Sequence, residues 1–310
     1  MKKVGLLATG SYTPERKLTN SDLEKMVDTT DEWITTRTGI KERRIAADNE
    51  YSSDMAAKAA RDCLGKVNLR PDLLISSTAT AERACPYQAS IVANRLNLTN
   101  LGAFDLNAAC SGLVYSLAVA KSMIQTGPYR NILITASEKM SMLTDYTDRA
   151  SCILFGDGAA ALMLSSEQPE HEILATELGL DATGSDYVIM GGREDYYFRQ
   201  DGRKVFKFAV TIMGEMIDRL LLKSGASKND DFYIIPHQAN YRILESAARE
   251  SKLPQDRFIC YIDHYGNTSS ASIGLALDEA EKEGRFKKGD LVLLIGFGGG
   301  LSWAGAAIRW

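Results

Sequence analysis

The sequence predicts an α/β protein assembled from two related halves, and three observations predict it. Short apolar runs alternate with helix-like runs along the chain, the pattern of strands and helices packed in layers. Four blocks of the first half recur in the same order in the second, and internal repetition fixes architecture before any other feature. The stretch Ala109–Ala120 carries no charge, so a helix there would be buried on all sides.

The clearest repeat sets Phe104–Ala120 beside Tyr261–Leu277. Each reads as a short apolar strand, a turn of small residues and an Ala- and Leu-rich helix. Cys110 stands at the first turn and Asn267 at the second, 157 positions apart in a chain of 310. Asp72–Ala79 likewise resembles Asp231–Asn240, Asn131–Ser137 resembles Asp290–Gly296, and Cys152–Ala161 resembles Leu301–Arg309. Duplicated strand–turn–helix units bring their turns face to face across a pseudo-two-fold axis. The halves are expected at 1–165 and 166–310.

Strands are expected at Leu73–Ser77, Ile132–Thr135, Ile153–Phe155, Tyr233–Ile235, Phe258–Ile262 and Leu291–Ile295, short apolar runs that suit burial on both faces. Helices are expected at Ser53–Leu64, Gln88–Leu96, Leu113–Gln125, Val210–Ser224, Tyr241–Lys252 and Ser272–Glu283. Residues 12–48 and Asp181–Lys204 are polar and break the periodicity. Both read as surface insertions, where substrate contacts tend to gather.

Composition narrows the function. The chain is 45% hydrophobic and 25% charged, as in ordinary globular proteins. A net charge of −4 argues against a general nucleic-acid binder. Five cysteines, an odd number with no C-x-x-C pair, fit a reducing cytosol better than a disulfide scaffold, so a cytoplasmic location is expected. The apolar run after Met1-Lys2-Lys3 is too short for a signal peptide, and no stretch approaches the roughly 20 apolar residues of a membrane span. The three histidines, His171, His237 and His264, share no metal-ligand spacing, so no metal is expected.

Three residues suggest chemistry. Cys110 follows a strand and opens a helix, where unpaired N–H groups and the helix dipole favour a thiolate. Lowering a thiol from about 8.5 to about 7 takes roughly 2 kcal/mol, which a helix terminus supplies only when partly buried. The alternative is a small Cys packed under a helix. His237 ends an apolar strand in Pro236-His237-Gln238-Ala239-Asn240, and Asn267 lies in a Gly-Asn-Thr-Ser turn. Each alone reads as a strand-end or turn residue. Together, Cys, His and Asn serve either peptide hydrolysis or acyl transfer from a thioester. Gly298-Gly299-Gly300 follows a strand; it is either a plain turn or a place where backbone N–H groups approach a reacting oxygen. No Lys-Ser/Thr follows, so it is not a phosphate loop.

An ordered set of motifs runs essentially end to end: Thr30–Arg44 with Trp33 and Arg37, Asn107-Ala-Ala-Cys110-Ser-Gly112, Thr147-Asp-Arg149, Leu154–Gly158, Val205-Phe-Lys207, His237-Gln-Ala-Asn240, Tyr265-Gly-Asn267-Thr-Ser and Phe297–Gly300. The set resembles the thiolase-fold condensing enzymes, and closely the β-ketoacyl-acyl-carrier-protein synthase III family. The resemblance implies a thiolase-like five-layered αβαβα fold of two pseudo-two-fold-related halves, and a homodimer. It implies that Cys110 takes an acyl group from acyl-CoA and that malonyl-acyl-carrier protein then binds and loses CO2. His237 and Asn267 would hold the malonyl thioester oxygen, and the N–H groups of Cys110 and Gly299 the oxyanion. Coenzyme A enters as a thioester substrate, with no further cofactor.

By the same resemblance Trp33 and Arg37 would flank the adenine of CoA, with Arg149, Asn240 and Arg242 along the tunnel and Gly202 and Phe206 at its mouth. Lys207, Arg242 and Arg249 would dock the acidic carrier, and Phe155 and Met140 would line the acyl pocket. Three residues depart from the family pattern. Arg203 stands where Asn is common. Glu250 stands where a second basic residue is often seen, which weakens or shifts carrier docking. Cys85 stands where an aromatic often reaches into the partner's acyl pocket, so a primer longer than two carbons is expected. The competing expectations are a synthase-III-like enzyme of secondary metabolism and a cysteine hydrolase.

Overall fold

The computed structural model describes residues 2–193 and 196–310. The first half runs β1 (Gly5–Tyr12), β2 (Lys17–Thr19), α1 (Asn20–Leu23), α2 (Asp31–Thr38), β3 (Glu42–Arg44), α3 (Ser52–Gly65), β4 (Leu73–Ser77), α4 (Gln88–Arg95), β5 (Gly102–Leu106), α5 (Gly112–Thr126), β6 (Asn131–Glu138) and β7 (Gly158–Ser165). The second runs β8 (His171–Leu180), β9 (Val188–Ile189), β10 (Arg199–Gln200), α6 (Gly202–Ser224), β11 (Phe232–Pro236), α7 (Tyr241–Ser251), α8 (Ile262–Tyr265), α9 (Ser272–Lys282), β12 (Leu291–Gly298) and β13 (Ser302–Arg309).

The strand order is β11-β12-β13-β8-β1-β7-β6-β4-β5. It is symmetric about the β8/β1 junction, where only Gly5↔Glu172 and Leu6↔His171 pair. Strands β5, β4 and β6 run parallel on one side and β11 and β12 on the other, and the remaining neighbours are antiparallel. A tenth position, opposite β5, is reduced to one parallel bridge between Ile234 and Phe258.

Alternating side chains sort the core into layers, as the period of two in a strand requires. Ile75, Ile132 and Ile134 of the first half and Val292, Leu294 and Ile308 of the second enclose α5 and α9 through Leu113, Leu117, Ile124, Ile273 and Leu277. The opposite face of the first sheet, with Leu74, Leu133 and Met163, packs on α3. The opposite face of the second, with Leu291, Leu293 and Ile295, packs on α6 and α7. The result is the expected five-layered arrangement.

Two expected strands are absent. Ile153–Phe155 forms a turn with a single bridge, Phe155 to Asn267; its residues are apolar because they wall a cavity, not because they extend a sheet. Phe258–Ile262 keeps only the Phe258 bridge and passes into α8. Helix α6 starts at Gly202 rather than Val210, because Asp201 caps it by accepting from the Lys204 N–H. Its first two turns are charged and exposed on one side, which disguised them as loop. Strands β1, β7, β8 and β13 are not among the expected ones; β1, β7 and β13 are rich in small residues rather than Ile and Val, and β8 mixes polar with apolar residues.

The repeat also shifts in register. α5 begins at Gly112 and α9 at Ser272, so the partner of Cys110 is Ser270 and the partner of Asn267 is Asn107. The backbone shows this directly: Ala109 and Ser269 both take left-handed φ, +48° and +50°. The Oδ1 of Asn107 accepts from the Ala109 N–H at 3.0 Å, and that of Asn267 from the Ser269 N–H at 2.9 Å. Each half therefore presents the same side-chain-stabilised turn at the start of its central helix.

Candidate active site

Cys110, His237, Asn267 and Gly299 line one cavity, with Ala109, Met140, Phe155, Phe198, Val205, Phe297 and Gly298 among its walls. Its free space is about 50 Å³, little more than one water's share of the liquid. A wider cleft of about 460 Å³ adjoins it through Ala109, Val188, Met190 and Gly299, and continues to Ala79 and Asn107.

Cys110 sits in the 3-10 turn Ala109–Ser111 that opens α5. Left-handed φ at the non-glycine Ala109 stores strain of the kind found at functional sites. Across the turn the chain passes at closest approach: a Cβ on Gly298 would lie 2.8 Å from the Cys110 N and 3.0 Å from its Cβ. A Cβ on Gly112 would meet the Ser77 Oγ at 2.1 Å. Gly298, which faces backbone, therefore needs glycine for space, whereas at Gly112 the Ser77 side chain would have to turn away. Burial pushes the Cys110 thiol up to about 11; the Ser269 hydroxyl, 3.5 Å from Sγ, pulls the other way, and Glu138 adds to the rise. Burial thus works against the thiolate-favouring setting read from sequence.

His237 follows β11 and is 2% exposed. Burial lowers it to about 3, so the ring is neutral. Its Nδ1 lies 2.7 Å from the Ser272 Oγ, which also accepts the Gln238 N–H at 3.3 Å. The Ser272 hydroxyl keeps its own proton free to donate to Nδ1, an arrangement that puts the imidazole proton on Nε2. Phe297 packs edge-to-face on the ring at 5.2 Å. Asn267 is 7% exposed. Its Oδ1 is held by the Ser269 N–H, and its backbone is clamped by Asn267 N–H to Leu154 O and Gly156 N–H to Asn267 O. The pinned amide keeps Nδ2 as its available donor.

Met140 and Phe155 are among the residues that line the cavity. Gly202 and Phe206 do not; Val205 between them does. Cys85 is exposed on a loop of this chain and is not among the lining residues. Trp33 lies on α2 with Arg37 at 5.8 Å and Arg149 at 4.9 Å from its ring centroid, so Arg149 is the closer of the two cations. Arg149 also donates to the Asp28 carbonyl. Asn240 caps α7, its side chain accepting from the Arg242 N–H at 2.9 Å. Arg242 and Arg249 are exposed on α7, and Lys207 on α6, the helix packed beside it. Among the described residues no His, Cys, Asp or Glu cluster is placed to hold a metal, and no helix is long and apolar enough to cross a membrane.

The sequence reading missed Ser269, Ser270, Ser272 and Glu138. The serines belong to the Asn267–Ser272 run already singled out, and only its register onto α5 assigns them. Glu138 ends β6, which reads as an ordinary strand end.

Two sequence-family models match. Residues 104–182 match 3-oxoacyl-[acyl-carrier-protein] synthase III, and residues 221–310 match its C-terminal model. The chain belongs to this family. It is 44% identical to the β-ketoacyl-[acyl-carrier-protein] synthase III of Caldanaerobacter subterraneus subsp. tengcongensis, over 99% of this chain and 97% of that one. The crystal structure of 3-oxoacyl-[acyl-carrier-protein] synthase III from Aquifex aeolicus superposes with a TM-score of 0.95 at 42% identity, covering 99% of this chain and 100% of that one. A priming β-ketosynthase of the R1128 polyketide pathway superposes at 0.93 with 34% identity, covering 99% and 96%. The expected family is the one found.

Proposed function

We propose that this chain is a condensing acyltransferase that joins an acyl-CoA primer to malonyl-acyl-carrier protein with loss of CO2, the step that starts a fatty-acid chain. The observation that carries this reading is the meeting of Cys110, His237, Asn267 and Gly299 on one buried cavity in a member of this family.

Cys110 attacks the primer thioester, CoA leaves as a thiolate, and an acyl-Cys110 ester results. The N–H groups of Cys110 and Gly299 take the oxyanion, contacts whose single loss typically costs about 10²–10³ in rate. The malonyl thioester oxygen then sits between the Nε2–H of His237 and the Nδ2 of Asn267. A ring that is neutral down to about pH 3 donates a hydrogen bond without giving up its proton, so negative charge accumulates on that oxygen as CO2 departs. The enolate carbon attacks the acyl carbon, and Cys110 leaves as a thiolate.

Trp33, Arg37 and Arg149 form the platform for the adenine, with Asn240 and Arg242 further along the tunnel and Gly202 and Phe206 at its mouth. Lys207, Arg242 and Arg249 meet the acidic carrier protein, a steering role open to a local basic patch despite a net charge of −4. The halves 1–165 and 166–310 pair as duplicates, two copies of the chain form a homodimer, and the enzyme works in the cytoplasm. The small Cys85, offered to the partner's acyl pocket beside Met140 and Phe155, supports a primer of more than two carbons. Equal or better activity with acetyl-CoA than with branched or medium-chain primers contradicts that choice.

The roles separate by half-reaction. Cys110→Ala is expected to abolish acylation and retain malonyl decarboxylation. His237→Ala is expected to lose decarboxylation and largely spare acylation. Equal loss of both half-reactions in both folded variants contradicts the assignment. The likeness to the polyketide priming synthase favours a second reading, a condensing enzyme of secondary metabolism, which acyl and acceptor preference would distinguish.

A further inference from the structure

Glu138 ends β6 with a wholly buried carboxylate. Among the described residues no Lys or Arg pairs with it; Lys139, next in the chain, turns its ammonium to the carbonyls of Ala47, Asp48 and Glu50. Glu138 is held instead by donors alone. The Ala79 N–H lies 3.2 and 3.1 Å from its two oxygens, the Thr80 hydroxyl at 2.7 Å, the Thr78 hydroxyl at 3.4 Å, the Ser270 hydroxyl at 2.5 Å and the Ser269 hydroxyl at 3.4 Å. The Ser269 Oγ is also the group that meets the Cys110 Sγ, at 3.5 Å. The nucleophile and a buried carboxylate without a counter-cation therefore share one hydroxyl. Cys110 is the titratable group facing that carboxylate through Ser269.

A fixed anion there works against a thiolate, since like charges disfavour each other's ionisation. The arrangement becomes productive if the carboxylate gains a proton whenever the thiol loses one, because the buried charge then stays constant. We propose that Glu138 is the proton store for Cys110, reached through the Ser269 hydroxyl; this rests on the acyl-transfer reading above. In the first half-reaction the Cys110 S–H proton passes to the Ser269 Oγ as Ser269's own proton passes to Glu138. The Cys110 S–C(acyl) bond forms, the C–S bond to CoA breaks, and the CoA thiolate takes its proton from solvent. In the second half-reaction the enolate carbon displaces Cys110 as a thiolate, and the two protons shift back. Glu138 is again ionised and Cys110 again a thiol, with no proton gained or lost by the protein over the cycle. Long apo contacts such as these tighten when substrate fills a site.

The test is the single-turnover rate of Cys110 acylation, followed by intact mass from pH 5 to 10, for wild type, Glu138→Gln and Ser269→Ala. Iodoacetamide alkylation of Cys110 reads the thiol pKa in parallel. An anion that acts only by its charge gives one outcome: Glu138→Gln lowers the thiol pKa and acylates at least as fast as wild type at pH 7, which overturns the proposal. A proton store gives the other: both variants acylate about 10²–10⁴ more slowly at pH 7, the rate recovering as pH rises and solvent base ionises the thiol. A loss that is equal at every pH overturns the proposal too, as it marks a deformed site. If Glu138→Gln melts below the assay temperature, Ser269→Ala decides by the same criterion. Wild type that takes no acyl group defeats the acyl-transfer reading itself; wild type and variants that acylate alike defeat the proton store alone.

Discussion

At the scale of single residues the site is governed by space and by burial. The approach of Gly298 to Cys110 leaves no room for a side chain, and the atom it would strike is backbone. Gly298→Ala is expected to fold yet displace the nucleophile, lowering kcat by about 10²-fold, the scale of an ångström's misplacement; steady-state rates beside a thermal melt check this. His237 makes a pH prediction. Its folded value of about 3 lies below the ordinary value of about 6.5, so the unfolded chain binds the extra proton between these limits. Its contribution to stability is therefore present above pH 6.5 and is lost as pH falls toward 3. Relative to a His237→Gln variant, wild type should lose stability by at most about 1.4 kcal/mol per pH unit across that window, measured by denaturant titration at several pH values.

At the scale of elements, the inner helices set the site by their close fit. A Cβ on Gly274 of α9 would lie 2.4 Å from the Ala160 Cβ and 3.1 Å from Leu113. Helix propensity alone would make Gly274→Ala stabilising by about 1 kcal/mol. Overpacking, at about 1–3 kcal/mol, reverses the sign, and a net loss in urea denaturation is expected. Arg43 serves the opposite wall. Fully buried, it donates to the Leu18 carbonyl, the Asn20 side chain and the Ile153 carbonyl, and so anchors the turn that carries Phe155. Arg43→Ala should cost at least about 3 kcal/mol by stranding those acceptors and opening a cavity. The elements also show what the sequence reveals. Helices with an apolar face, such as α3 and α5, and Ile-rich strands, such as β4 and β12, were legible within one to three residues at either end. Strands β7 and β13 were not, because tight sheet–helix packing demands Ala and Gly there, and these carry no strand signal. Cys110, His237 and Asn267 were legible as a set, but their alignment was not. Ser270 rather than Asn267 lies opposite Cys110, since register is set by the helix starts and the two left-handed turns. Glu138 gave no signal, because its meaning comes only from the turn serines Ser269 and Ser270 that it meets in space.

At the scale of the whole molecule, duplication explains why one cavity holds residues from both halves. The central helices α5 and α9 bring two equivalent turns together, one carrying Cys110 and the other Asn267. Peripheral segments surround this centre: residues 12–48 carry Trp33 and Arg37, and the segment before α6 supplies Phe198 and Gln200 to the cavity. Trp33→Ala is expected to raise KM for acyl-CoA roughly 10-fold, by loss of stacking worth about 1–2 kcal/mol, with kcat from a saturated enzyme little changed. Cys85→Phe is expected to shift preference toward shorter primers, read as the ratio of kcat/KM for acetyl-CoA to that for a medium-chain CoA.

The most direct measurement is the intact mass of the protein after incubation with a panel of acyl-CoAs and then with malonyl-acyl-carrier protein. The expected result is a stable gain of one acyl group on Cys110, absent in Cys110→Ala, discharged as a β-ketoacyl product when the malonyl carrier is added. A gain without discharge would contradict the condensing step and leave an acyltransferase with another acceptor. No gain with any primer would contradict the acyl-Cys110 intermediate on which the whole mechanism stands.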